Sequence, residues 1–101
     1  MARFVDVARL PDIPIGAGLA VEISRNRVAL FHIDGEVFAT DNTCIRCSAE
    51  LAAGTVDGHD VECAQCGWRY DVVTGSTRGV PKLRLETFGV RMSGTTVMLR
   101  G

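Results

Sequence analysis

The chain lacks the features that would announce many functions. Its net charge is −1 over 101 residues, so it has no basic excess with which to neutralise nucleic-acid phosphates or an anionic membrane surface. No apolar run approaches the roughly 20 residues that a membrane-spanning helix requires. The opening Met1-Ala2-Arg3-Phe4 lacks the apolar core and small-residue cleavage site of an export signal, which points to the cytoplasm. Internal repeats, low-complexity stretches and linkers are missing. So are a Ser/His/Asp set, a paired-acid cleft and a phosphate loop, and chemistry on a substrate therefore finds no support. At 47 % apolar and 23 % charged residues, the composition is that of a folded globular chain. Residues 1–101 read as one domain with a modest core.

What is present is concentrated in four cysteines. Cys44 and Cys47 form one Cys-x-x-Cys pair and Cys63 and Cys66 another, with 15 residues between the pairs and no other cysteine in the chain. Two such pairs converging from two loops supply four soft thiolates, the donor set preferred by zinc and iron. Disulfide-bonding cysteines seldom fall into two metal-type spacings.

The rest of the chain reads as short strands cut by turns. Phe4, Val5 and Val7 mark a first strand, and Pro11, Pro14, Gly16 and Gly18 an irregular connection. Leu19-Ala20-Val21-Glu22-Ile23 and Arg27-Val28-Ala29-Leu30-Phe31 flank a Ser24-Arg25-Asn26 turn, a hairpin pattern. Asp34-Gly35 predicts a tight turn into Glu36-Val37-Phe38-Ala39. Residues 85–92 and 96–99 predict a last hairpin across Ser93-Gly94, and the one helix candidate is a turn at residues 48–52. Turn signals every eight to twelve residues argue an all-β sandwich or barrel, with both cysteine pairs on loops between strands.

Around those loops the sequence resembles the Rieske-type ferredoxins, small electron carriers of aromatic-ring dioxygenase systems. Asp41-Asn42-Thr43-Cys44, Leu51-Ala52, Gly54, Val56-Asp57-Gly58, Val61-Glu62-Cys63, Gly67, Tyr70-Asp71-Val72, Thr74-Gly75 and Thr87-Phe88-Gly89-Val90-Arg91 carry the resemblance. It implies a small antiparallel β-structure with two cluster-binding loops at one tip. It also implies electron exchange with a reductase and a terminal oxygenase, with no nucleic acid and no membrane involved. That family places Cys-x-His on one loop and Cys-x-x-His on the other, two Cys holding one iron of a [2Fe–2S] cluster and two His the other. Cys44 and Cys63 match the two cysteines. Arg46 and Cys66 stand at the histidine positions, and Cys47 lies one residue beyond the first. His32 and His59 fall in a strand and a hairpin turn, away from those positions. The loss of both histidines fits natural divergence or a scaffold recast by design.

Three occupants remain open: one iron or zinc ion in four thiolates, an all-cysteine [2Fe–2S] cluster, or no metal. The stretch Cys63-Ala64-Gln65-Cys66-Gly67 resembles a rubredoxin or zinc-ribbon knuckle, in which glycine lets backbone N–H groups turn toward sulfur. The favoured reading is a four-cysteine iron site, rubredoxin-like mononuclear or all-cysteine [2Fe–2S], on a Rieske ferredoxin scaffold, serving electron transfer without being an enzyme. Alternatives are a non-redox module stapled by zinc and the small subunit of a nitrite-reductase-like complex. Four further residues are candidates around the site. Arg46 is either a counter-charge to the thiolates or a solvated loop residue. Tyr70 either donates its hydroxyl to a thiolate or simply packs beneath the loop. Trp68 belongs to the core or to an apolar docking rim, and Pro81, with Val80, resembles the family's shielding third loop.

Overall fold

The computed structural model describes residues 3–100; Met1 and Ala2, which open the segment read for an export signal, and Gly101 lie outside the described residues. Ten strands, all paired antiparallel, form three sheets. The first contains β1 (Phe4–Arg9), β10 (Thr96–Arg100) and β9 (Val90–Ser93), in that order. The second runs β2 (Gly18–Ile23), β3 (Asn26–Ile33), β4 (Glu36–Asp41) and β8 (Thr87–Phe88). The third and smallest is β5 (Thr55–Asp57), β6 (Asp60–Glu62) and β7 (Arg69–Asp71). Among the described residues no helix is long and apolar enough to cross a membrane.

Strand β3 organises the layers. Residues 28–31 are fully buried in succession, because alternate side chains enter two different cores. Val28 and Leu30 join Ile13, Ile23, Ala39, Val97 and Leu99 on one face. Ala29, Phe31 and Ile33 face the other way, toward Leu51, Val61, Tyr70, Val72, Leu85 and the buried cysteines Cys44 and Cys63. The middle sheet is thus covered on one side by the β1-β10-β9 sheet and on the other by the cysteine loops and the small sheet.

Both predicted early hairpins form, and their registers follow from two-residue turns. Ser24 and Arg25 have φ of 48° and 68°, and Asp34 and Gly35 have 51° and 82°. Two successive positive-φ residues give the turn whose twist matches that of the flanking strands. Ile23 accordingly opposes Asn26, and Ile33 opposes Glu36.

Two expectations are corrected. Residues 85–92 do not make one strand: β8 pairs with β4, Ala39 opposite Phe88, whereas β9 pairs with β10. The chain changes sheet at Gly89. Phe88 and Val90 pack against the same core, so their alternation is that of an unbroken strand and hides the break. The helix candidate at 48–52 is a 3₁₀ turn at Leu51–Ala53, and a second such turn, Leu10–Asp12, occupies part of the connection read as irregular.

Gly75 anchors the loop that follows β7. Its N–H donates to the Asp71 carbonyl at 2.7 Å and its carbonyl accepts from Leu85 N–H at 2.8 Å. Its φ is +84°, and a Cβ there would stand 2.3 Å from the Leu85 carbonyl oxygen. Gly75→Ala therefore combines left-handed strain with a backbone clash, and should cost about 2–5 kcal/mol. Thermal unfolding of the variant should show this as a large drop in Tm; a melt superimposable on the wild type would refute the close approach.

Candidate metal centre

The two cysteine pairs sit on equivalent loops, one leading from β4 toward β5 and the other joining β6 to β7. In the first, Cys44 N–H donates to the Ala49 carbonyl at 2.9 Å and Ser48 N–H to the Cys44 carbonyl at 3.0 Å. In the second, Cys63 N–H donates to the Trp68 carbonyl at 2.8 Å and Gly67 N–H to the Cys63 carbonyl at 3.0 Å. The residue after each second cysteine, Ser48 or Gly67, has positive φ, 65° and 79°. The loops are therefore one knuckle built twice. Glycine at 67 signals the second in the sequence; serine at 48 conceals the first, because a non-glycine residue adopts this conformation only at a cost.

This geometry brings all four sulfurs within 4.8 Å of one another. Cys44 Sγ lies 3.7 Å from Cys66 Sγ, and Cys47 Sγ 3.5 Å from Cys63 Sγ. All four thiols are free. A tetrahedron with metal–sulfur bonds of about 2.3 Å has edges of about 3.8 Å, and the Cys44–Cys66 and Cys47–Cys63 spacings match it. The first cysteine of each pair is buried and the second half-exposed, so the group has an inner and an outer side.

The surroundings treat the sulfurs unequally. Burial pushes the Cys44 thiol up, but the Tyr70 hydroxyl and the N–H groups of Cys47 and Arg46 outweigh it and bring it down to about 6. At Cys47 the Ala49 N–H favours the thiolate, yet burial and the sulfurs of Cys63, Cys44 and Cys66 prevail, pushing it up to about 12. Cys66 follows the same pattern: the Trp68 N–H favours its thiolate, while burial and the Cys44 and Cys63 sulfurs raise it. Four negative charges do not gather here without a cation.

Tyr70 combines both roles considered for it. Its ring is fully buried, and its hydroxyl lies 3.2 Å from Cys44 Sγ. The hydroxyl oxygen accepts from Ile45 N–H at 3.0 Å, leaving its proton for the sulfur. Burial and the Cys44 sulfur hold the phenol above its usual range, so it remains a donor. Trp68 is half-buried against the core and tilts toward Tyr70, with ring centroids 6.5 Å apart. Arg46 is exposed, its guanidinium carbon 5.9 Å from the Trp68 ring centroid. Pro81 is exposed in the third loop, in a turn closed by Leu83 N–H donating to the Val80 carbonyl at 2.9 Å. That loop meets the second knuckle beside a cavity of about 320 Å³ lined by Gly67, Trp68, Thr77 and Val80, among others.

Asn42 carried no role of its own in the sequence reading, yet it fastens the first loop from within. Fully buried, it accepts from Ala52 N–H at 2.9 Å and donates to Glu50 at 3.1 Å, while its backbone carbonyl accepts from Leu51 N–H at 2.8 Å. Its place in the Asp41-Asn42-Thr43-Cys44 stretch, just before a cysteine loop, was the signal available. The small sheet is braced by charge: Arg69 reaches Asp57 at 2.8 Å and Asp60 at 3.6 Å, and Arg78 also contacts Asp60.

The histidines stay apart from the sulfurs. His59 is exposed, its ring edge-on to Phe38 at 5.7 Å, and half-buried His32 lies opposite Val37 in the middle sheet. Among the described residues no imidazole joins the four-cysteine group, so a cluster requiring two histidine ligands does not fit here.

Two variants test the knuckles in opposite directions. Space around Gly67 is open, so Gly67→Ala should cost only the conformational term, about 1–2 kcal/mol, whereas Ser48→Gly should be neutral or up to about 1 kcal/mol stabilising. Denaturant melts of the two proteins should diverge accordingly. Tyr70→Phe should raise the Cys44 pKa above its value of about 6, seen as slower alkylation of the metal-free protein at neutral pH.

Comparison with known proteins agrees with this architecture. Residues 3–89 match the Rieske [2Fe-2S] domain. The ferredoxin component of the naphthalene 1,2-dioxygenase/salicylate 5-hydroxylase systems of a Ralstonia species is 34 % identical, over 97 % of this chain and 95 % of that protein. The structure of Sphingomonas yanoikuyae B1 ferredoxin superimposes with a TM-score of 0.88 at 28 % identity, covering 98 % and 99 % of the two chains. A putative NADH-dependent nitrite reductase small subunit from Mycobacterium tuberculosis reaches 0.90 at 18 % identity over 100 % and 96 %, a likeness of fold alone. With a match over residues 3–89, the chain belongs to the Rieske [2Fe-2S] domain family.

Proposed function

We propose that this protein is a small electron carrier, the ferredoxin component of an aromatic-ring dioxygenase-type system, and that its centre is one iron ion held by Cys44, Cys47, Cys63 and Cys66. The observation that carries the reading is the set of four sulfurs within 4.8 Å on a ferredoxin scaffold. Two irons bridged by sulfides would need sulfurs on opposite irons to stand farther apart than the edge of one tetrahedron. Bound in four thiolates, iron supplies a one-electron couple, whereas zinc in the same donor set has no accessible redox change.

The remaining roles belong to the chain. Cys44 and Cys63 anchor the centre in the core, and Cys47 and Cys66 carry it to the surface, where electrons enter and leave. The Tyr70 hydroxyl and the backbone N–H groups of Arg46, Cys47, Ala49 and Trp68 face the sulfurs. These donors spread thiolate charge and so favour the reduced state. Ile45, Val80 and Leu83 expose apolar surface on the first and third loops, suited to brief contact with a reductase and then a terminal oxygenase. The chain works as a single domain in a reducing compartment, the cytoplasm, where the thiols stay available.

Elemental analysis of purified protein should give about one iron per chain and no acid-labile sulfide. Two irons with two sulfides would replace this reading with the all-cysteine cluster, and colourless protein with one zinc would make it a structural module. Cys63→Ser should lose the metal and melt at lower temperature, because metal binding contributes to folding.

Acidity supplies a further check. The thiols of Cys47, at about 12, and of Cys66, also raised, hold protons at neutral pH, and the ion must displace them. Metal uptake should therefore release protons, and apparent affinity should rise about tenfold per pH unit for each one. Titration of metal into weakly buffered apoprotein measures this directly. The reduction potential of the loaded protein should lack the pH dependence that ionising imidazole ligands confer.

A further inference from the structure

Arg46 stands at the first of the family's two histidine positions, and its surroundings assign it work there. Its guanidinium lies over the ring of Trp68, 5.9 Å from the centroid, within the range of a cation–π contact. The two residues belong to opposite knuckles. Arg46 lies between Cys44 and Cys47, and Trp68 follows Cys66 by two positions. The Arg46 N–H supports the Cys44 thiolate, and the Trp68 N–H that of Cys66. Trp68 also leans on Tyr70, whose hydroxyl meets Cys44 Sγ at 3.2 Å. The contacts thus run from Arg46 across Trp68 and Tyr70 back to the first loop, around the edge where Cys44 and Cys66 meet at 3.7 Å.

Charge reinforces the geometry. Arg27, Arg69 and Arg78 are each paired with carboxylates, whereas Arg46 has no ion-pair partner among the described residues. Its own loop carries Cys44 and Cys47 on either side of it, and four thiolates around a divalent ion would carry net charge −2.

We propose that Arg46 and Trp68 form a clasp across the two knuckles that slows metal loss and offsets part of the negative charge of the loaded site; this rests on the four-cysteine reading above. Arg46 is a positioning residue, touching no metal. Its contact joins its own loop to the other loop.

The test compares metal-loaded wild type with Arg46→Ala, Arg46→Lys, Trp68→Leu and the double variant Arg46→Ala/Trp68→Leu. Metal content is measured first, then the rate of transfer to a chromogenic chelator. Each alanine or leucine variant should release metal about two- to fivefold faster, and the double variant no faster than the faster single one. Arg46→Lys should lie between, keeping the charge and weakening the stacking. In the iron form the reduction potential should fall in Arg46→Ala and stay near wild type in Arg46→Lys. Trp68 is the chain's only tryptophan, so the fluorescence of metal-free protein should also change in Arg46→Ala. Should Trp68→Leu not fold, Trp68→Phe takes its place, with a smaller expected effect. Equal release rates in loaded wild type and Arg46→Ala, or effects that multiply in the double variant, would overturn the clasp alone. Wild-type protein that binds neither iron nor zinc would overturn the four-cysteine reading and the clasp with it.

Discussion

Four sulfurs crowded within 4.8 Å set the terms for everything around them. Burial and the neighbouring sulfurs keep the outer thiols protonated in the free chain, and a bound cation would turn the crowding into cohesion. The knuckles answer this with backbone N–H groups, which stabilise thiolates without adding a titratable charge. Tyr70 adds one hydroxyl from beneath. An ion held by all four sulfurs would tie the two loops together and add to what packing supplies. The buried cysteines are part of the same core as Phe31 and Val61, so the link reaches the middle sheet.

The hydrogen bonds that shape the two loops do not draw on the cysteine sulfurs. The first loop is fastened by Asn42 to Ala52 and Glu50 and closed by Ser48 to Cys44; the second is closed by Gly67 to Cys63. None of these bonds uses a ligand side chain. The architecture shared with the relatives therefore does not require imidazoles in these loops. The three-stranded sheet below, braced by Arg69 and Arg78, holds the loops at a common distance whatever they carry.

Much of this was legible in the sequence. The paired cysteine spacing disclosed the four-sulfur group, and Asp34-Gly35 disclosed a turn because glycine at positive φ leaves a local signature. The resemblance supplied the order of strands and loops, which composition alone does not reach. What stayed hidden was of two kinds. Sheet changes such as that at Gly89 preserve the alternation of buried and exposed residues, so periodicity passes over them. Conformations paid for by tertiary contacts, such as the left-handed Ser48, leave no mark in residue type. The contact of Arg46 with Trp68 joins residues 22 apart in sequence, and only the convergence of the loops makes them neighbours.

The near-duplicate knuckles have a kinetic consequence. A centre that gains an electron must lengthen its bonds and let its surroundings respond, and the energy of that response governs the speed of transfer. Here every sulfur-facing N–H belongs to a loop already closed by its own hydrogen bonds, and the one side-chain donor, Tyr70, has a fully buried ring. Little around the inner sulfurs is free to turn. A metal held by the four sulfurs would therefore have its reorganisation concentrated at the outer face, in solvent beside Cys47 and Cys66, and a partner that expelled this water on docking would lower the barrier to electron transfer.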